Sequence, residues 1–282
     1  MIAWVERAAA PLILAAAVLV AAPASAQLND LVSRTAFRVC ADPANVPFSN
    51  EAGDGFENEI AQLFADSFER ELQYTWFPMA QGFVRRTLFA HRCDVIIGFA
   101  QGDELVLNTN HYYTSTHVLV TRADGDLADV ATLADPRLQG RTLGVIAGSP
   151  PGSHVARHGL MAKVKGYDLM VDRRVESPNE DMLADLMAGR IDAAVMWGPA
   201  GGPLAKAEGD ALVVTPLLAE QGAPRLFYRI TMGVRQSDDT WKRELNDKIR
   251  ELQPQINAIL IEHGVPLVND MGTAMLEEAA AQ

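Results

Sequence analysis

Basic residues are scarce in this sequence. Its 24 Lys and Arg stand against 36 Asp and Glu over 282 residues, a formal net charge of −12. A nucleic-acid partner selects a basic face, and this balance argues against one. Cysteine is rarer still. Cys40 and Cys93 are the whole supply, too few for a thiolate metal site. Long apolar runs are missing beyond residue 26, so no later segment reaches the roughly 20 residues of a spanning helix. Arg is absent from the loop "AQGDELVLNTN", and acid from the loop "MWGPAGG". What is plentiful is ordinary: an apolar fraction of 49% fills a sizeable core, and the length suits one large domain or two smaller lobes.

The first 26 residues have their own grammar. Arg7 precedes an apolar run from Ala8 to Ala22, and "APASA" ends at Ala26. This reads as a signal peptide, 1–26, cut before Gln27. The run is short for a membrane anchor, and no Cys follows the cut to carry lipid. The expected address is an oxidising compartment, most simply a bacterial periplasm. An even cysteine count suits that address and reads as one disulfide, Cys40 to Cys93. Two buried free thiols are the alternative, because each Cys lies at or beside a strand.

Catalytic and metal signatures are poor. His154 and His158 have a metal-like i, i+4 spacing, but no third ligand is visible. "ENE" at Glu57 to Glu59 misses the calcium-loop spacing and reads as a solvated helix start, where acids suit the helix dipole. "GSPPGS" lacks the lysine of a phosphate loop. No Ser/His/Asp or Cys/His set stands out. An enzyme would have to draw on Glu57 and His154, and nothing in the sequence pairs them. The expectation is a non-enzyme with no metal site.

Strands and helices alternate. "FRVCADP", "LQYTWFP" and "CDVIIGF" read as strands, and "GFENEIAQLFADSF" and "FVRRTLFAHR" as helices. Phe56, Ile60, Leu63, Phe64 and Phe68 share one helical face. The pattern repeats with strands "RTLGVIAG" and "IDAAVMW" around the helix "SPNEDMLADLMAGR". There Ser177 and Glu180 form a capping-box pattern and Gly189 a C-cap. Alternation of this kind predicts parallel pairing in α/β units. "HRCDVIIGFAQG" and "GRIDAAVMWGPAGG" match in outline: Arg92 with Arg190, Asp94 with Asp192, Phe99 with Trp197. Two extended stretches, 115–125 and 225–236, cross between the halves. The reading is α/β: two Rossmann-like lobes joined by a two-strand hinge. Lobe one comprises 27–119 and 226–282, and lobe two 120–225. Near the C-terminus, Pro254 is expected to split the final helix in two.

Ligands of open α/β sheets sit beyond the carboxyl ends of the strands. That rule nominates Asp42, Asn45 and Phe48 after the first strand and Trp76 after the second. It adds Gln101 after the third, then Tyr112 and Tyr113. In the second half it nominates Ser149 and His154, then Trp197, Gly198 and Pro199. The small residues after Trp197 read as a loop that lets another surface come close. Arg85, from a helix, is the candidate substitute for the missing loop arginine.

The motifs "RVCADPANVPFSN", "GFENEIAQLFA", "RCDVIIG", "YYTSTHVLVTR", "VMWGP", "ITMGVR" and "HGVPL" resemble one family across nearly all of the chain after residue 26. It is the quinoprotein-dehydrogenase-associated branch of the type-two periplasmic solute-binding proteins, the J proteins of MxaJ and XoxJ type. The resemblance implies a type 2 periplasmic binding protein fold. It also implies a role in activating or maturing a periplasmic methanol or alcohol dehydrogenase. That partner would carry pyrroloquinoline quinone (PQQ) and calcium or a lanthanide, while this chain binds none of them tightly. Amino-acid-binding relatives place an Arg after strand three and an acid after the second-lobe strand, to hold a zwitterion. Both are missing here. The cleft is expected to hold a protruding segment of the partner, or alternatively a small molecule carried for a transporter.

Overall fold

The computed structural model describes Met1 and residues 31–276. The expected signal peptide and its cleavage site lie outside the described residues, Met1 apart.

Strand β1 (Ala36–Ala41) leads into a tight excursion, β2 (Ala44–Asn45) and β3 (Ser49–Asn50), and then helix α1 (Phe56–Ser67). Next come β4 (Glu71–Trp76), the short helix α2 (Phe83–Arg86), β5 (Ile96–Ala100) and the long β6 (Leu107–Arg122). The second half supplies β7 (Leu143–Ile146), α3 (Pro150–Arg157), β8 (Val164–Tyr167), α4 (Pro178–Met187), β9 (Ala193–Trp197), α5 (Gly198–Ala207) and β10 (Leu212–Pro216). The chain returns through β11 (Phe227–Val234) to the final helix α6 (Asp239–Glu262).

Strand β6 belongs to both halves. Its residues up to Thr116 pair with β11, while those from His117 pair with β9 and β10. The core sorts the same way. Phe37, Phe64, Tyr112, Met232 and Trp241 pack in one body, and Leu119, Leu143, Val145 and Val195 in the other. In the second body both sheet faces are covered: Val118, Val120, Ala194 and Met196 face a separate cluster with Met182 and Leu186. Two covered faces explain why β9 reads as one continuous apolar run.

The pairing is mixed rather than wholly parallel. β1–β4, β7–β8 and β7–β9 run parallel. β5–β11, β11–β6, β6–β9 and β10–β6 are antiparallel, because the crossing strands β6 and β11 serve as partners in both bodies. A bridge between Val39 and Val95 ties β1 to the approach to β5. Beside it Cys40 and Cys93 are joined by a disulfide, at a sequence separation of 53. A loop of that size makes such a bond worth about 2–4 kcal/mol.

Several expectations change. The helix expected over 83–92 stops at Arg86, and the Thr87 hydroxyl donates to the Phe83 carbonyl at 2.7 Å. Such side-chain bonding competes with continued helix. Ser177 makes no capping bond with its side chain, so the capping box is not formed; Pro178 at the first turn starts α4 instead. Gly189 does end that helix in a left-handed conformation, φ 67°. Pro254 does not divide α6. It lies on the exposed face, while Leu245, Ile249, Leu252, Ile256 and Leu260 keep one buried stripe along the whole helix. Burial of that stripe outweighs the roughly 3 kcal/mol cost of an interior proline.

The segment after Trp197 is helix α5, not a loop. Its small residues serve close approach. A methyl added at Gly198 would stand 2.3 Å from the Thr116 carbonyl oxygen, and one at Gly202 would stand 2.2 Å from that of Gly264. Only glycine lets α5 of the second body rest on the first at that distance.

Candidate binding cleft

The carboxyl ends of β1, β5, β7 and β9 converge on a cleft of about 470 Å³ between the two bodies. Phe48, Phe99 and Tyr113 line one side, Trp197 the other, with Tyr228 from β11 between them. Trp197 meets Tyr228 edge to face at 5.8 Å and leans on His117 at 5.1 Å. The tryptophan that ends β9 thus forms part of the cleft wall, braced from behind by α5.

Four groups carry the polar chemistry. Glu57 stands in the first turn of α1, and its side chain lies over Gly98 of β5. A methyl at Gly98 would fall 1.9 Å from the Glu57 Oε1. Glu57 is only 8% exposed, and burial pushes its pKa up to about 7. His117 is also buried, and burial lowers its pKa to about 4. Its Nδ1 lies 2.7 Å from the Leu226 carbonyl, which can only accept. The neutral ring therefore carries its proton on Nδ1 and leaves Nε2 as an acceptor. Arg173 enters from the segment between β8 and α4 and reaches Asp42, beyond β1, at 3.9 Å. Desolvation lowers the Arg173 pKa against the opposing pull of Asp42. Asp168 lies on the same side as Arg173.

Of the residues nominated from sequence, Asn45, Phe48, Tyr113, Ser149 and Trp197 line this cleft. Asp42 does not face it openly. It is buried, accepts from the Ala44 and Met79 N–H groups, and touches the cleft through Arg173. The others lie elsewhere. Tyr112 points into the lobe core and donates to the Ile97 carbonyl at 2.9 Å; it is the extra residue where the β6–β11 register shifts, and its ring packs edge-on against Tyr113 at 5.1 Å. Trp76 stacks on Tyr74 at 4.3 Å on the edge strand β4. Gln101 is exposed past β5, held by its backbone N–H on Arg229. Arg85 lines a separate apolar groove with Phe89 and Leu105, so the cleft cation is Arg173 instead. Gly198 and Pro199 are buried in the first turn of α5. His154 is interior to the second body, with Nε2 at 2.7 Å from the Pro224 carbonyl.

The "HxxxH" pair is structural. His158 lies 2.9 Å from Glu220 and His154 3.9 Å from the same carboxylate, which also accepts from Thr132 and the Leu133 N–H. This cluster fastens the 217–224 stretch to the second body. Among the described residues no group of three or more His, Cys, Asp or Glu is placed to hold a metal.

Glu57, Met79, His117, Asp168, Arg173 and Tyr228 are among the lining residues that the strand-end rule did not nominate. Glu57 left a signal. It precedes Ile60, Ala61 and Phe64 at helical spacing, on the apolar face of α1 rather than the wet one. Arg173 left none, since "VDRRVE" has no periodicity.

Two lobes, crossing strands and a cleft at the strand ends define a periplasmic binding protein of type-two topology. No protein-family model matches the chain. Protein MoxJ of Methylorubrum extorquens is 30% identical over 271 residues, covering 88% of this chain and 89% of the relative. The crystal structure of the periplasmic binding protein XoxJ from Methylobacterium extorquens AM1 is 42% identical, with a TM-score of 0.71, and matches 83% of this chain and 100% of its own. The chain belongs to this MoxJ/XoxJ family of binding proteins. An ancestral arginine-binding protein bound to glutamine is 19% identical with a TM-score of 0.55, over 82% of this chain and 98% of its own, which shows the shared fold alone.

Proposed function

We propose that the protein is a periplasmic accessory of a PQQ-dependent methanol or alcohol dehydrogenase, engaging part of that enzyme in the cleft and helping to activate or mature it. The observation that carries this reading is the cleft wall of Phe48, Phe99, Tyr113, Trp197 and Tyr228, found in a chain of the MoxJ/XoxJ family. Large aromatic rings at the centre of a concave surface are the usual anchors of a protein partner. The quinone and the calcium or lanthanide belong to the partner in this reading. The chain offers no metal-ligand cluster among its described residues. A periplasmic address is supported by the periplasmic relative, by the disulfide, and by the lack of any helix long and apolar enough to cross a membrane among the described residues.

Co-elution of the mature protein with the dehydrogenase from its own organism, with and without cofactor, tests the reading. A complex is expected, and Trp197→Ala should weaken it by about tenfold or more with the fold intact. Unchanged affinity in that variant removes the cleft from the interface.

One observation favours a second reading, a receptor that closes on a small solute for a transporter. Arg173 and Asp42 already meet across the cleft mouth, as the two sides of a closing receptor would. Compaction in solution scattering on adding a solute, with no dehydrogenase complex under any condition, would favour it.

A further inference from the structure

A buried carboxylate is ordinarily paired or hydrogen-bonded. Glu57 is neither. It is 8% exposed, and its side chain makes no hydrogen bond or ion pair with any described residue. The cleft offers it no cation of its own: Arg173 is engaged by Asp42, and His117 is held neutral. The ionisable groups of the strands packed against it are Tyr74, Tyr112 and Tyr113, all pushed above the ordinary tyrosine range and uncharged. On its own helix Glu59 is occupied by His263 at 2.8 Å. Around it the cleft is apolar and aromatic, with Phe48, Phe99, Tyr113 and Trp197 on the walls. Gly98 leaves the space the carboxyl fills, since a Cβ there would overlap it.

We infer that Glu57 is a subsite for a primary ammonium on an apolar stem, borne either by a free amine or by a lysine side chain of a docking segment. An ammonium would give the carboxylate the charge-assisted partner it lacks. The aromatic walls would take the stem and attract the charge through their faces. This also accounts for the missing zwitterion anchors: the acid enters from α1, and no unpaired arginine waits for a carboxylate. The inference rests on the cleft being a binding site, and not on the identity of the partner.

The test titrates the mature chain by calorimetry and tryptophan fluorescence. One arm compares 2-phenylethylammonium with neutral 2-phenylethanol. The other compares N-acetyl-lysine methylamide with N-acetyl-norleucine methylamide. At least tenfold preference for the charged member is expected in one arm, and the arm that shows it names the source. Glu57→Gln should abolish the preference while leaving the neutral compound's affinity unchanged. Near pH 7 ammonium binding should also release a proton from Glu57, seen as a heat that varies with buffer ionisation enthalpy. Equal affinity of charged and neutral compounds in both arms overturns the inference, as does a preference that survives in the variant. If the variant does not fold, absence of proton release in the native chain overturns it alone. The dehydrogenase takes no part in these titrations, so a failed co-elution leaves the subsite standing and a failed titration leaves the complex standing.

Discussion

The two lobes hold their cleft strands by the same device. In the first, the Asp94 N–H donates to the Arg38 carbonyl at 2.8 Å; in the second, the Asp192 N–H donates to the Thr142 carbonyl at 2.8 Å. Each aspartate precedes an apolar strand that ends in a ring on the cleft wall, Phe99 or Trp197. The side chains then part ways. The Asp94 carboxylate is buried and shared between Arg38 and Arg235, each at 2.7 Å, and the indole N–H of Trp241 donates to its carbonyl at 3.2 Å. The Asp192 carboxylate turns back on the Thr142 N–H at 2.7 Å and lies 3.7 Å from Arg141 near the surface. The first lobe also has the disulfide. One backbone plan thus carries two kinds of reinforcement. The first lobe buries its strand-start aspartate in an ion-pair network, whereas the second leaves its own near the surface and rests through α5 on the first.

The largest expected effect tests that contrast. Asp94→Ala breaks the ion pairs of Arg38 and Arg235 and leaves the Arg235 guanidinium, itself 4% exposed, on Asp238 alone at 2.7 Å. The expected loss is about 3 kcal/mol. Asp192→Ala removes a half-exposed bond and should lose about 1 kcal/mol. Denaturant unfolding of both variants measures the pair, and equal losses would dissolve the distinction.

A smaller effect separates two cleft residues by pH. Glu57 holds its proton more tightly folded, about 7 against 4.5, so its contribution falls as pH rises through that window. His117 resists its proton when folded, about 4 against 6.5, so its contribution is lost as pH falls. Between pH 7 and 5 the two slopes oppose, each by about 2 kcal/mol. Glu57→Gln should therefore lose about 2 kcal/mol more than the native chain over that drop, and His117→Gln about 2 kcal/mol less. Parallel stability curves for all three chains would show that neither group is desolvated as described.

The smallest concerns the link between lobes. Arg173→Gln removes the ion pair with Asp42. A partly exposed pair at that distance is worth about 0.5–1 kcal/mol. The open form should gain two- to fivefold in population, read as a larger radius of gyration at low salt. An unchanged radius would mean that the pair does not restrain the lobes.

Much of this was legible in the residues. Apolar runs gave β1, β5, β7 and β9, and the matched Arg-x-Asp motifs signalled two lobes because the same local bond recurs. The strand-end rule found Asn45, Phe48, Tyr113, Ser149 and Trp197. It failed for Tyr112, since the parity of a long strand depends on its register with β11. It failed for His154, since a helix start says nothing of which way the next turn faces. Glu57 was misread because acids at helix starts are usually wet, and its burial depends on Gly98 of a distant strand. Arg173 and Asp42 meet only in three dimensions. The helix after Trp197 looked like a loop because glycines weaken helix by about 1 kcal/mol each. Here the contact they permit with the first lobe outweighs that cost.

That contact sets the mechanics of the cleft. Gly198 and Gly202 bring α5 against the Thr116 and Gly264 carbonyls, with no room for a side chain between. Bodies that touch so closely at the back act as a lever with its fulcrum there. Tilting about that line would keep these contacts and sliding along it would break them, so any opening of the cleft is expected as a tilt. A wedge of one extra methyl at the fulcrum would be magnified at the mouth.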